Sequence, residues 1–242
     1  AVGTAANPLG TITTTADTTT IGITSIGDDA VNATKLAVTS TKVTNLNANV
    51  TTSDSQTYTG AVILGNNPIL TGKDITFNGT VNGTDQNLTA NSTGNLEFKA
   101  AVGNVNPLRT VTTSAATIAI GGNVTTSESQ TYTGAVTLAN NPTLTGQGIT
   151  FNGTVNGANQ NLTVNSTGDL EFKVAVGTVA NPLGNVTTNA ATTTIGGEVN
   201  ATKLAVTSTI ATNLNANVTT TDSQTYTGAV TLANSPTLTG KG

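Results

Sequence analysis

The stretch SQTYTGAV at residues 55–62 returns unchanged at residues 129–136 and again at residues 223–230. In the middle copy Tyr132, Val136 and Leu138 occupy every second position or a multiple of it, and threonine or alanine occupies the positions in between. This alternation predicts a strand with one buried face and one solvated face. A single strand cannot bury its apolar face by itself, so we predict that the three copies stack as turns of a solenoid.

The composition fits a thin and elongated core. Of the 242 residues, 36% are hydrophobic and only 3% are aromatic. Such values are low for a thick globular core, but they suffice for a narrow solenoid in which each turn contributes a few inward side chains. Because the composition is even and the motifs repeat, we predict one continuous unit over residues 1–242 rather than separate domains.

Three repeat units follow one another along the chain, at residues 1–100, 101–174 and 175–242. Each consists of short alternating runs that end in Gly, Asn or Pro, which is the punctuation expected of strands and tight turns. The motif NPL and a second set of prolines recur at fixed places. Proline cannot donate to a strand ladder, so we predict that all of these prolines lie between strands.

All seven aromatic residues lie within the repeats, and their spacing predicts the length of a turn. Gaps of 19 and 21 residues recur within units, and the two longer gaps differ by 20. An insertion keeps later strands on their faces only if it adds a whole turn, so we predict turns of about 17 to 21 residues and about 13 turns in all. Stacked turns place the aromatic rings in a core ladder of Tyr58, Phe77, Phe98, Tyr132, Phe151, Phe172 and Tyr226.

Parity also assigns the inward side chains. Ile149, Phe151 and Val155 are predicted to point inward, as are Leu170 and Phe172. In the first unit the inserted segment is longer than one turn, and we predict that its excess forms a loop around residues 24–30.

The motifs TYTGAVTL, LTGQGITFNGTV and NLTVNSTGDLEFK, in this order, resemble the repeat shaft of filamentous haemagglutinin-like bacterial exoproteins. The resemblance covers nearly the whole chain. It implies a right-handed parallel β-helix that is exported and displayed on the cell surface as a long fibre. The secretion domain and the receptor-binding tip of that family have no matching residues here.

Charge and composition exclude several partners. The net charge of −4 comes from 12 acidic and 8 basic residues that are scattered singly, so we expect no nucleic-acid partner. No apolar run approaches the roughly 20 residues of a membrane helix, so we expect no membrane span. The sequence starts at Ala1 without Met and shows no signal peptide, and we expect it to be a section of a longer chain.

Few residues could carry chemistry. Acidic residues precede each Tyr strand at Asp54, Glu128 and Asp222, and Asp28 and Asp29 form an adjacent pair, but isolated carboxylates are usually solvated. There is no His and no Cys, and Arg109 is the only arginine. We therefore predict no metal site, no cofactor, no catalytic residue and no enzymatic activity.

The function predicted from these features is that of a passive extracellular fibre. Its shaft would span distance, resist unfolding and present a surface for adhesion, cell contact or matrix building. The expected partners are other copies, end to end or side by side, and a cell-surface glycan or protein receptor. Two alternatives stay open: an ice-binding solenoid, because outward threonine rows can match ice, and a carbohydrate-active β-helix.

Overall fold

A computed structural model describes residues 1–22 and 30–241, and these residues are all-β without any helix. The loop predicted at residues 24–30 falls almost entirely outside the described residues. Asp28 and Asp29 also lie outside them.

The described residues form 23 strands. The first twelve are β1 (Leu9–Ile21), β2 (Val31–Leu46), β3 (Val50–Thr52), β4 (Ser55–Leu64), β5 (Ile69–Gly72), β6 (Asp74–Phe77), β7 (Val81–Asn82), β8 (Asn87–Ser92), β9 (Asn95–Phe98), β10 (Thr110–Ile120), β11 (Val124–Thr125) and β12 (Ser129–Leu138). The others are β13 (Thr143–Gly146), β14 (Gly148–Phe151), β15 (Val155–Asn156), β16 (Leu162–Ser166), β17 (Asp169–Phe172), β18 (Leu183–Ile195), β19 (Val199–Leu214), β20 (Val218–Thr220), β21 (Gln224–Thr227), β22 (Val230–Leu232) and β23 (Leu238–Thr239).

The chain divides into two compact units. Unit 1 comprises residues 1–119 and 125–127, and unit 2 comprises residues 120–124 and 128–242. The division falls within the second predicted repeat.

Each unit is a parallel β-solenoid, which confirms the fold class predicted from the repeats. In unit 1 Val31 pairs with Val50, Val50 with Leu70, and Leu70 with Ala90, always in parallel. Each turn has three strand-bearing faces. In the turn that starts at Val50, these are β3, the first half of β4 and the second half of β4.

Within residues 1–22 and 30–241 the two units together have about 11 turns, so the predicted number of 13 is too high. Turns are longer and more variable than the aromatic spacing indicates. Only 18 residues separate Leu46 from its partner Leu64, whereas 23 separate Phe172 from Ile195. The turn from Phe172 to Ile195 contains the NPL loop of residues 181–183, which lengthens it without adding a turn.

Inward positions follow the predicted parity. Ile149, Phe151 and Val155 are fully buried, and Leu170 and Phe172 are at most 2% exposed. None of the six prolines lies within a strand: Pro8 directly precedes β1, and the other five lie between strands, where no ladder donor is needed.

Corner asparagines help to join neighbouring turns. The Oδ1 atom of Asn141 accepts a hydrogen bond from the Asn161 backbone N at 2.7 Å, and Asn161 does the same for Asn185. In unit 1 Asn67 binds the backbone N of Asn87 in the same way. These bonds satisfy backbone donors where the ladder is interrupted.

The sequence repeat does not equal a whole number of turns. In unit 2 Tyr132 starts a column of paired residues that runs through Phe151, Phe172, Ile195, Leu214 and Leu232. Tyr226 belongs to another column, which runs through Leu144, Val164, Thr188, Val206 and Tyr226. Equivalent residues therefore lie four and two-thirds turns apart, on different faces of the solenoid.

Unit 1 shows the same offset with its AVG motifs. Val2 pairs with Val31 and so belongs to the column of Val50. Val102 pairs with Val81, which pairs with Val62 on a different face. The NPL loops that follow Val2 and Val102 consequently leave unit 1 in different directions.

Deleting residues 199–217 should preserve the fold, because Val199 and Val218 are directly paired in adjacent turns. The deletion also recreates the shorter segment GGNVTTSESQTYTG of residues 121–134, with GGEVTTTDSQTYTG at the new junction. We expect a β-rich circular dichroism spectrum and one cooperative unfolding transition.

Deleting only residues 199–207 removes less chain but rotates every later strand off its face. This shorter deletion should lower the free energy of unfolding by several kcal/mol, beyond the usual 0.5–3 kcal/mol of point changes. Equal stability of the two deletions would contradict the assigned register.

Candidate functional site

The repeated stretch SQTYTG occupies strand β4 and turns the chain from one face to the next. Tyr58 and Val62 both point into the core, on either side of Gly60. Gly60 has a φ of 100°, and a Cβ atom there would lie 2.0 Å from the backbone O of Ser40. Only glycine fits this corner without strain. Gly134 and Gly228 have the same left-handed backbone, with φ angles of 130° and 106°.

Six of the seven aromatic rings form two stacks of three. In unit 1 the ring of Phe77 lies 5.1 Å from Tyr58 and 5.4 Å from Phe98. In unit 2 the corresponding distances from Phe151 are 5.2 Å to Tyr132 and 5.0 Å to Phe172. The rings are nearly parallel, and all six side chains are at most 2% exposed. Each such pair contributes about 0.5–1.5 kcal/mol beyond the burial of its area.

Tyr226 stands apart from the other aromatic residues. It pairs with Val206 instead of a ring, and its side chain is only partly buried. Tyr226 could join a ring stack only if the sequence repeat spanned a whole number of turns. The offset of two-thirds of a turn moves Tyr226 to another face.

A glutamine side chain binds each of the three tyrosines. In unit 1 the Nε2 of Gln56 donates to the backbone O of Val50 at 3.2 Å and to that of Thr71 at 2.8 Å. The Tyr58 hydroxyl donates to Gln56 Oε1 at 3.0 Å. The amide thus joins two faces and two turns from inside the core. We call this arrangement the glutamine clamp.

The clamp recurs in both other copies of the stretch. Gln130 binds the backbone O of Val124 and of Thr145 and accepts from Tyr132 at 2.8 Å. Gln224 binds Val218, Thr239 and Tyr226 in the same way. Sequence reasoning missed these glutamines. One signal was available in the sequence: a Gln stands two residues before each Tyr, so the two side chains lie on the same, inward face of the strand.

A chain of hydroxyl groups also lies inside each unit. In unit 2 Thr212 Oγ1 donates to Ser208 Oγ at 2.9 Å, and Ser208 Oγ donates to Thr193 Oγ1 at 3.0 Å. In unit 1 the same positions are Thr44, Ser40 and Thr19. Thr19 is partly exposed, and the other hydroxyls are buried at low cost because these groups satisfy one another. They too were missed from the sequence.

The acidic residues that precede each Tyr strand do not converge on a site. Asp54 is exposed, and Asp222 forms an ion pair with Lys203 at 3.2 Å. Within residues 1–22 and 30–241 no three His, Cys, Asp or Glu side chains come together as a metal site.

Other ion pairs lie on the solvated faces. Glu97 and Lys99 approach to 3.6 Å, and Glu171 and Lys173 to 3.7 Å. All four side chains are more than one-third exposed, so each pair contributes little, about 0–1 kcal/mol.

One ion pair is exchanged for apolar residues in a later copy. At the bulge between β1 and β2, Thr41 and Lys42 both contact Asp17. The Thr41 hydrogen bond, followed by that of Lys42, lowers the pKa of Asp17. At the equivalent bulge between β18 and β19 the residues are Ala191 and Ile210, so this charge pair is not a fixed feature of the repeat.

No protein-family model, no curated protein and no solved structure matches this chain. In the part of the chain that the structure describes, no helix is long and apolar enough to cross a membrane.

Replacing Gln56 by Leu should lower the free energy of unfolding by about 1–3 kcal/mol, because the Tyr58 hydroxyl then loses its acceptor inside the core. The matched control is Thr57→Ala on the solvated face of the same strand, which should change stability by less than about 0.5 kcal/mol. Equilibrium unfolding in urea measures both values. If the two variants lose the same amount, the clamp does not stabilise the fold.

Stability should fall as the pH rises above about 10, the ordinary pKa of tyrosine. Burial raises the pKa of Tyr58 and Tyr132 well above this value, and it raises the pKa of Tyr226 to about 12. The unfolded phenols therefore lose their protons first, so the stabilisation is complete below pH 10 and is lost at higher pH by about 1.4 kcal/mol per pH unit for each buried phenol. Unfolding curves between pH 8 and 11.5 measure the slope. The double variant Tyr58→Phe and Tyr132→Phe should show a flatter dependence, and an unchanged slope would contradict the burial of these hydroxyls.

Proposed function

We propose that this chain is a section of the shaft of an extracellular fibre that serves adhesion, cell contact or matrix building. The observation that carries the proposal is a comparison of two copies within the chain, residues 53–100 and 127–174. They differ at 11 positions, and only one of these, Ala90 in the first copy and Val164 in the second, is buried. The two copies thus keep one stacking core while their exposed residues vary, as expected of a scaffold.

The surface of the described residues supports the same role. The six stacked rings are inside, so they are not available to stack on a sugar from outside. The recurring polar residues Gln56, Ser40 and Thr44 bind other residues of the core. The aromatic and polar residues that recur in the copies therefore stabilise the stacking of turns. The resemblance of its motifs to haemagglutinin-like shafts agrees with this role and with a place outside the cell.

Self-association is part of the proposal. Away from the ends of the given sequence, Val105 is 71% exposed, Val179 85% and Ile210 67%. These apolar side chains are available for contacts with another copy. A fibre would form by end-to-end stacking or by lateral contacts, and a glycan or protein receptor would meet its exposed faces.

Ice binding is a second candidate because of one face of unit 2. Two outward columns run across five turns there, Thr143–Thr163–Thr187–Ala205–Thr225 and Thr145–Asn165–Asn189–Thr207–Thr227. Neither column contains a charged residue, and β-branched threonine holds its hydroxyl in few rotamers. Thermal hysteresis by the purified chain, lost on Thr163→Lys and Thr187→Lys, supports this candidate; freezing identical to that of a buffer control eliminates it.

The fibre role is tested with beads that carry the purified chain. We expect coated beads to adhere to one another or to cultured cells, and excess soluble chain to compete. Beads coated with the 199–207 deletion serve as the control for misfolded protein. If folded chain gives no more attachment than this control or than bare beads, the adhesive role is wrong.

A further inference from the structure

The dipeptide Asn-Gly occurs four times in the chain, twice in each copy of the stretch ITFNGTVNG at residues 75–83 and 149–157. In such a pair the backbone N of the glycine can attack the side-chain amide carbon of the asparagine, because glycine has no side chain that hinders the approach. The asparagine then loses its amide group as ammonia. The fold buries and bonds the four pairs differently, so it decides which of them are free to react.

The first Asn-Gly pair of each copy lies at an open corner of the solenoid. Asn78 directly follows β6 and Asn152 directly follows β14, and neither belongs to a strand. Both asparagines and the glycines after them, Gly79 and Gly153, are partly exposed. In the part of the chain that the structure describes, the backbone N of these two glycines donates to no other backbone group. The attacking atom is therefore available in both copies.

Stacking of turns makes the glycine of these pairs obligatory. A Cβ atom at Gly79 would clash with the backbone O of Gly60, and one at Gly153 would clash with that of Gly134. Gly60 and Gly134 are the corner glycines of the repeated stretch SQTYTG. A bulkier residue would slow the reaction, but the fold does not admit one at either position.

The second Asn-Gly pair of each copy is protected. Asn82 is only 9% exposed, and its Oδ1 accepts a hydrogen bond from the backbone N of Val105 at 3.1 Å. The backbone N of Gly83 donates to the backbone O of Asn106 at 3.3 Å. Both the amide and the attacking atom are thus engaged within the fold. In the other copy the equivalent glycine, Gly157, is also buried.

A threonine of the preceding turn restrains each asparagine at the open corners. The Nδ2 of Asn78 donates to Thr59 Oγ1 at 3.2 Å, and the Nδ2 of Asn152 donates to Thr133 Oγ1 at 3.0 Å. Ring closure requires the side chain to turn toward the backbone N of the next residue. A hydrogen bond to the preceding turn opposes that rotation.

We propose that Asn78 and Asn152 are sites of spontaneous deamidation and backbone isomerisation, and that Thr59 and Thr133 are positioning residues that set the rate. The backbone N of the glycine bonds to the asparagine Cγ, the Cγ–Nδ2 bond breaks, and the glycine proton leaves with the amide group as ammonia. Water then opens the cyclic imide at either carbonyl and gives aspartate or isoaspartate. Each product adds a negative charge, and isoaspartate also adds a methylene group to the main chain. This inference does not depend on the fibre role.

The test incubates the full, folded chain in mildly alkaline buffer made with heavy-oxygen water. Mass spectrometry of its peptides, with fragmentation that separates aspartate from isoaspartate, then measures each site. We expect Asn78 and Asn152 to react at least tenfold faster than Asn82, and each product to carry oxygen from the solvent. The chain unfolded in guanidinium is the reference, in which the three sites should react at similar rates. Equal rates at the three sites of the folded chain, or a folded chain in which none of them reacts, would overturn the assignment.

Two matched variants test the positioning residues. Thr133→Val removes the acceptor of Asn152 but keeps the branched shape of the side chain. We expect Asn152 to react at least threefold faster, whereas Asn78 in the same molecule keeps its rate. Thr59→Val should have the reverse effect. An unchanged rate at Asn152 in the first variant, or an equal acceleration at Asn82, would show that Thr133 does not position this amide.

Discussion

In-register stacking is the constraint on which the whole structure depends. Each turn must pair its backbone with the next turn and at the same time place its inward side chains over those of its neighbour. Tyr58, Phe77 and Phe98 satisfy both conditions at once, because their residues are partners in the ladder and their rings are in contact. A shift by one residue would turn the rings to solvent. The glutamine clamp adds a polar requirement to this apolar one, since Gln56 reaches backbone atoms of two turns.

The sequence predicts the class of fold because its signals are local. Alternation assigns Phe151 and Val155 to the core, and proline assigns the corners, without knowledge of any distant contact. The number of turns is less predictable, since a loop such as that after Gly177 lengthens a turn without leaving a periodic trace. The position of Tyr226 fails for a related reason. Identical sequence suggests identical placement, but the face on which a residue lies depends on every turn before it.

The polar core was also beyond the prediction. Threonine and serine are common on solvated strand faces, so Ser40 and Thr44 give no sign that they bind each other inside. Gln56 is an unusual core residue because an amide is costly to bury unless all of its bonds are made. Only the structure shows that Val50, Thr71 and Tyr58 supply those bonds.

The offset between repeat and turn has a consequence for the surface, since equivalent loops in unit 1 leave from different faces. A solenoid with this offset therefore directs equivalent loops of unit 1 to more than one side.

The contact between the rings of Tyr58, Phe77 and Phe98 is the most direct measure of the stacking. Nuclear Overhauser spectra of the chain with labelled aromatic residues, assigned with the help of Phe77→Leu, report these contacts in solution. We expect cross-peaks from the Phe77 ring to both neighbours, and little effect of a soluble paramagnetic agent on any of the three. Rings that relax rapidly with the agent and show no cross-peaks with one another would contradict the stacked solenoid.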